Sequence, residues 1–123
     1  LEFLFKKDIQ FGIVTNKPRE YAEPLVKNFS ELDKSKVLIC SDDISEPKPS
    51  PQGINAALEA LNINNSECLY IGDHINDLDA GANAGTKIIA CYYGYSLCAK
   101  NNPYSCDSAN NSEDLIEIIS RYI

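Results

Sequence analysis

Tyr70-Ile-Gly-Asp-His-Ile-Asn-Asp-Leu-Asp-Ala-Gly-Ala-Asn-Ala-Gly85 is the stretch on which the reading of the fold turns. Glu67 to Gly72 leads into it as a short apolar run that predicts a buried strand, and Asp77 to Ala84 predicts a helix. Thr86 to Cys91, entered through Gly85, predicts a further strand. A strand, a polar turn with two aspartates, a helix and a returning strand make a parallel β-α-β unit.

The same unit recurs upstream. Gln10-Phe-Gly-Ile-Val-Thr15 reads as a buried strand, Pro18 falls at a first helical position, and Glu20 to Phe29 carries Ala22, Leu25, Val26 and Phe29 on one helical face. Lys36 to Cys40 is the next strand; after Glu46-Pro-Lys-Pro-Ser-Pro51, a helix over Gln52 to Leu61 has Ile54, Ala57, Leu58 and Leu61 as its apolar stripe. Downstream, Tyr92 to Pro103 reads as loop and Tyr104 to Ala109 as a minor edge strand. Ser112 is the expected N-cap of a terminal helix bearing Leu115, Ile116, Ile118, Ile119 and Tyr122. Leu1 to Lys7 reads as the end of a helix. The expected class is α/β, a parallel sheet covered by helices on both faces, with residues 1–123 as one domain.

Composition narrows the partners. The 123 residues, 44% hydrophobic and 24% charged, suit one soluble globular domain. Apolar runs such as Ile88 to Cys91 are far shorter than the roughly 20 residues a membrane span requires. A net charge of -7 repels nucleic acid and anionic lipid, so a phosphate ligand needs a local positive site. Five cysteines, at 40, 68, 91, 98 and 106, are odd in number, with no C-x-x-C pair and no histidine at zinc-ligand spacing. Reduced thiols and a cytoplasmic location are expected. With no methionine in the sequence, the native start is expected upstream of Leu1.

In an open parallel sheet, ligands bind beyond the carboxyl ends of the strands. Polar residues gather there: Thr15-Asn16-Lys17 after the first strand, Ser41-Asp42-Asp43 and then Lys48 after the second, Asp73 and Asp77 after the third. A hydroxyl, lysines and carboxylates on one edge suit a phosphate and a divalent cation. Plainer readings exist for each: Thr-Asn also ends any buried strand entering an N-capped helix, and Lys48 between prolines also reads as a solvated loop lysine. Two aspartates at a strand-to-helix turn are harder to explain as caps. His74 reads as an exposed loop residue, Lys17 as either an anion contact or a helix-terminus charge, and Asp42 and Asp43 as solvated loop, with metal binding open for Asp43.

In order, these segments resemble three of the four motifs of haloacid dehalogenase superfamily phosphatases. Gly12-Ile-Val-Thr-Asn-Lys-Pro18 resembles the second, Lys48 within Glu46 to Pro51 the third, and Tyr70 to Gly85, with its G-D-x-x-x-D core, the fourth. The T-N-K-P and A-G-x-N-A-G wording is most similar to phosphoglycolate phosphatases. The resemblance implies a three-layer Rossmann-like core and hydrolysis of a small phosphate monoester, 2-phosphoglycolate first, through an aspartyl-phosphate intermediate. It implies Mg²⁺ held by Asp73 and Asp77, a phosphoryl group met by Thr15 and by backbone N–H groups near Asn16, and charge offset by Lys48.

The first motif of that family, a strand ending in D-x-D whose first Asp attacks phosphorus, is not found; the only D-x-D is Asp77-Leu-Asp79. The resemblance places that strand centrally, between those carrying Thr15 and Asp73, and a helical cap domain between the first and second motifs. Residues 1–123 are thus expected to be a partial core, inactive alone, whose sheet an N-terminal segment or another chain completes. The alternative is a truncated, non-catalytic phosphate- or metal-binding module, or one half of a split enzyme.

Overall fold

The strands pair as two parallel groups rather than one continuous sheet. The computed structural model describes residues 1–94 and 96–123. In chain order the elements are α1 (Glu2–Lys6), β1 (Ile13–Val14), α2 (Arg19–Asn28), β2 (Leu38–Ile39), α3 (Gln52–Leu61), β3 (Leu69–Gly72), α4 (Ile75–Asn83), β4 (Lys87–Cys91), β5 (Asp107–Ala109) and α5 (Ser112–Ser120). β1 pairs with β2, and β3, β4 and β5 form a second sheet in that order, every pairing parallel. The α/β alternation is as expected, but β1 and β3 share no ladder, and Ile71 in mid-β3 is 37% exposed.

Helices hold the two groups together. Ile54 and Leu58 of α3 pack with Ala80 of α4 and with Ala84, and Val14, Cys68 and Tyr70 pack against that cluster. One apolar layer thus spans from β1 to β3. A second cluster joins Ile89, Ala109, Ile118 and Ile119, with Phe3 and Leu4 of α1 laid against it, so α5 and α1 cover β4 and β5. A third, Leu78, Ala90 and Leu97, anchors the loop after β4 to α4. Ile54, Leu78 and Ile89 are essentially fully buried, each worth about 1.5–3 kcal/mol relative to exposure.

Several boundaries differ from the sequence reading. The first two strands are shorter than Gln10–Thr15 and Lys36–Cys40, although bonds from Lys36 N to Phe11 O and from Thr15 N to Ile39 O prolong the contact beyond the ladder. α4 begins at Ile75, not Asp77, because the His74 side chain accepts from Asn76 N and caps it. His74 is exposed as expected but has this structural use. The cap of α5 is Asn111, whose Oδ1 accepts from Asp114 N at 2.8 Å, and Ser112 is already the first helical residue. Both shifts have one cause: His74 and Asn111 have extended backbones with a side-chain acceptor turned to the following N–H groups. The edge strand is confined to Asp107–Ala109.

Arg19 pins the start of α2 to the turn after β2. Its guanidinium donates to Asp43 Oδ2 at 2.6 Å, to Leu38 O at 2.8 Å and to Glu23 Oε2 at 3.2 Å, and its N–H donates to Asp42 Oδ1 at 2.9 Å. Asp42 and Asp43 are exposed, as expected of a loop, but also engaged with α2, and the guanidinium together with the Cys40 N–H holds the Asp43 carboxyl below its ordinary range. Cys40 and Cys91 are buried, and all five thiols are free. Among the described residues no helix is long and apolar enough to cross a membrane.

Candidate active site

The mouth between β1 and β3, at their carboxyl ends, is a cavity of about 530 Å³ lined by Val14, Lys48, Tyr70, Asp73, Asp77 and Tyr93 among others. Lys48 reaches it from the turn before α3. Its ammonium donates to Asp77 Oδ1 at 2.6 Å and to Val14 O at 3.2 Å, and both side chains of the ion pair are only 12% exposed. Burial works against the charged form of Lys48, yet the Tyr70 phenol and the Asp77 carboxylate outweigh it and keep its pKa above the ordinary lysine value. The Tyr70 ring lies 6.0 Å from the ammonium, and burial pushes its hydroxyl pKa up, so it stays neutral.

Asp77 does three things at once. Beyond the ion pair, its Oδ2 accepts from the N–H groups of Asp73 and His74, each at 3.2 Å, which ties the turn after β3 to α4. Gly72 permits this approach, because a Cβ there would overlap the Asp77 side chain. Asp73 is different. Its carboxylate is exposed, and among the described residues no hydrogen bond or ion pair reaches it. Gly94 stands beside it, and a Cβ at that position would fill the space the carboxylate uses.

These donors fit a magnesium ion in part. No group of three or more His, Cys, Asp or Glu converges among the described residues, so a cage built wholly of protein ligands is not present there. Mg²⁺ is commonly held by only one or two carboxylates, with water and substrate oxygens completing the octahedron. Asp73, uncommitted and open, matches that pattern; Asp77, already holding three donors, matches a role in orienting the shell.

Of the residues singled out from sequence, Lys48, Asp73 and Asp77 share the cavity wall. Thr15 and Asn16 follow Val14 directly but do not line it. Thr15 Oγ1 accepts from Lys17 N at 3.1 Å, and the Asn16 carboxamide is bonded to the Lys48 backbone. Sequence reading missed Tyr70, Cys91, Tyr93 and Gly94. β4 lies beside β3 with Gly72 opposite Ala90, so Cys91-Tyr-Tyr-Gly94 leaves the sheet at the same edge as Asp73; the rule for parallel sheets applied to β4 points to it. Ser96 then latches that loop by donating to Asp73 O at 3.0 Å. Burial raises the Cys91 thiol and pushes the Tyr93 hydroxyl up to about 12, so both remain protonated at neutral pH.

The family model described as haloacid dehalogenase-like hydrolase matches residues 1–91, a span that includes β1, the Lys48 turn, β3 and α4. The chain belongs to this family. Among curated relatives, this haloacid dehalogenase-like chain is 35% identical over 119 residues to an N-acetylmuramic acid 6-phosphate phosphatase of Pseudomonas aeruginosa, covering 94% of the chain and 52% of the relative. It is 36% identical to the pyrophosphatase PpaX of Bacillus mycoides, covering 96% and 55%. It is 32% identical to a phosphoglycolate phosphatase of Photorhabdus laumondii, covering 94% and 50%. The structure of a HAD-superfamily hydrolase from Ehrlichia chaffeensis superposes with a TM-score of 0.82 at 26% identity, over 98% of this chain and 54% of that one. The chain thus spans about half the length of the curated relatives it matches.

Proposed function

We propose that this chain forms the cation- and metal-binding side of a Mg²⁺-dependent phosphatase acting on a small phosphate monoester. The observation that carries the reading is the meeting of the Lys48 ammonium with Asp77, beside an uncommitted Asp73, at the carboxyl ends of two strands that share no ladder with each other. Asp73 holds the metal and Asp77 fixes the turn and the ammonium. Mg²⁺, when bound, offsets charge on the phosphoryl oxygens. Lys48 adds a preorganised positive charge where negative charge builds in the transition state, and the Thr15 hydroxyl, whose oxygen is already an acceptor, donates its proton toward a phosphoryl oxygen.

The attacking carboxylate comes from an extended segment lying between β1 and β3, supplied by a preceding part of the protein or by another chain. Attack by its oxygen on phosphorus breaks the ester P–O bond and releases the alcohol; water then hydrolyses the acyl phosphate to carboxylate and inorganic phosphate. The substrate suggested by motif wording is 2-phosphoglycolate. N-acetylmuramic acid 6-phosphate is the second reading, favoured by the Pseudomonas relative.

The test compares the 123-residue chain with the product of the extended coding sequence on an aryl phosphate, 2-phosphoglycolate and N-acetylmuramic acid 6-phosphate, with and without Mg²⁺. Turnover is expected only from the extended protein, reduced by Asp73→Asn and by Lys48→Ala. Unchanged turnover in both variants overturns the assignment of the site. Magnesium-dependent turnover by the short chain overturns the assignment of the nucleophile to another segment, and a start codon immediately before Leu1 favours the non-catalytic module.

A further inference from the structure

The Lys48 loop is tied at its flanks, where Ser45 Oγ and Glu46 N donate to Gln52 Oε1 at 3.0 and 2.7 Å, but its central peptide groups have few local partners. Pro47, Pro49 and Pro51 carry no N–H, so from residue 47 to 51 the only backbone donors are those of Lys48 and Ser50. Ser50 N turns back to Pro47 O at 3.0 Å, which closes a local turn, and Ser50 Oγ accepts from Gln52 N at 3.2 Å. The remaining donor, Lys48 N, donates to Asn16 Oδ1 at 3.1 Å, and Asn16 Nδ2 donates to Lys48 O at 3.3 Å. Among the described residues these are the only bonds of the Lys48 peptide groups, and they cross 32 positions of sequence. Only a carboxamide presents an acceptor and a donor side by side in this way: aspartate lacks the N–H, and serine is too short to offer both at this spacing.

The same strand end holds the other end of the lysine. Val14 O, two residues before Asn16, accepts from the ammonium at 3.2 Å. Residues 14 and 16 therefore grip Lys48 at its head and at its backbone, leaving its flexible methylene chain stretched between two fixed points. We infer that Asn16 is a positioning residue of Lys48, holding its backbone while Asp77 holds its ammonium, and acts on catalysis through the placement of that ammonium rather than by touching the phosphate. The inference rests on the proposed role of Lys48 in phosphoryl transfer.

The experiment is a double-mutant cycle in the extended protein with an aryl phosphate as substrate, comparing Asn16→Ala, Asn16→Asp, Lys48→Ala and the Asn16→Ala/Lys48→Ala pair. Displacement of a positioned group by about an ångström costs up to about a hundredfold, so each Asn16 variant is expected to lower kcat by about tenfold or more. KM should stay within about twofold, and in the Lys48→Ala background the further loss should be under about twofold. A raised KM at constant kcat, an equal loss in both backgrounds, or no loss at all overturns the inference. A second readout separates this from the fate of the phosphatase reading: amide hydrogen exchange at Lys48 in the 123-residue chain, expected to quicken by about tenfold or more in Asn16→Ala. Unaltered protection there refutes the clamp; quickened exchange with Lys48→Ala fully active upholds the clamp as geometry and refutes its role in turnover.

Discussion

Replacing Asp77 by alanine should destabilise the chain by about 2–4 kcal/mol. The carboxylate is 12% exposed and holds three donors: the Lys48 ammonium at 2.6 Å and the N–H groups of Asp73 and His74 at 3.2 Å. Breaking a buried ion pair from one side costs about 3–5 kcal/mol, because the surviving charge is stranded. Here Lys48 keeps Val14 O as an acceptor, which softens that loss, while two peptide N–H groups lose theirs, which adds to it. Lys48→Met leaves Asp77 with both peptide donors and should cost only about 1–2 kcal/mol. Together the two substitutions should cost less than the sum by about 1.5–3 kcal/mol, since neither then strands a charge. Urea titration of the 123-residue chain at neutral pH, with m unchanged, measures all three; at about 4 °C per kcal/mol the Asp77 variant should also melt about 10 °C lower. A cost below about 0.5 kcal/mol for Asp77→Ala, or additivity within that margin, would refute the view that one carboxylate joins the turn, the helix and the lysine.

His74→Ala should cost about 1 kcal/mol by removing the cap of α4, whereas His74→Asp should retain it; equal losses in thermal melts would dispose of the cap. Gly94→Ala places a Cβ against the Asp73 carboxylate, so it should weaken Mg²⁺ dependence of turnover in the extended protein by about tenfold with little change in melting temperature, and an unaltered Mg²⁺ titration contradicts the placement of Asp73. Arg19 and the Cys40 N–H lower the Asp43 pKa from 3.8, so the stability this carboxylate adds is complete above that pH and lost as pH falls through its lower folded value. Asp43→Asn should flatten that part of the stability–pH curve, and an unchanged acid limb counts against the Arg19 contact.

The alternation of strands and helices was legible because it rests on local periodicity: Ile54 and Leu58 recur at helical spacing, and each strand run ends in a polar cluster. Strand length was not, since a strand extends only as far as its neighbour offers partners. β1 and β2 each have one partner strand and narrow to two residues, whereas β4, paired on both sides, keeps five. Asp73 and Asp77 were legible as neighbours at one strand end, but not which of them the Lys48 ammonium reaches across 29 residues. Asn16 shows the limit most clearly. A carboxamide after a buried strand looks the same whether it faces a phosphate or a peptide group, and only the three-dimensional approach of the Lys48 turn separates the two.

That approach also explains how a divided sheet presents a single site. β1 contributes Val14 O and, just beyond its end, Asn16; the β3–α4 side contributes Tyr70, Asp73 and Asp77; and the two sides share no strand ladder. Among the described residues, Lys48 is the one hydrogen-bonded to both, through Val14 and Asn16 on one side and Asp77 on the other. The apolar contact between α3 and α4 sets the distance between the sides, and the lysine fixes their register at the mouth. In the proposed reaction its charge would serve two ends, stability and chemistry. A cation tightly paired for stability is usually neutralised for chemistry, but Asp77 engages the ammonium through one oxygen while binding two peptide N–H groups through the other. The two carboxylate oxygens thereby serve three donors, and the ammonium keeps a fixed place on the cavity wall. Under the proposed phosphatase reading, a substrate phosphate entering there would meet a cation already oriented, so little reorganisation would be needed when negative charge develops.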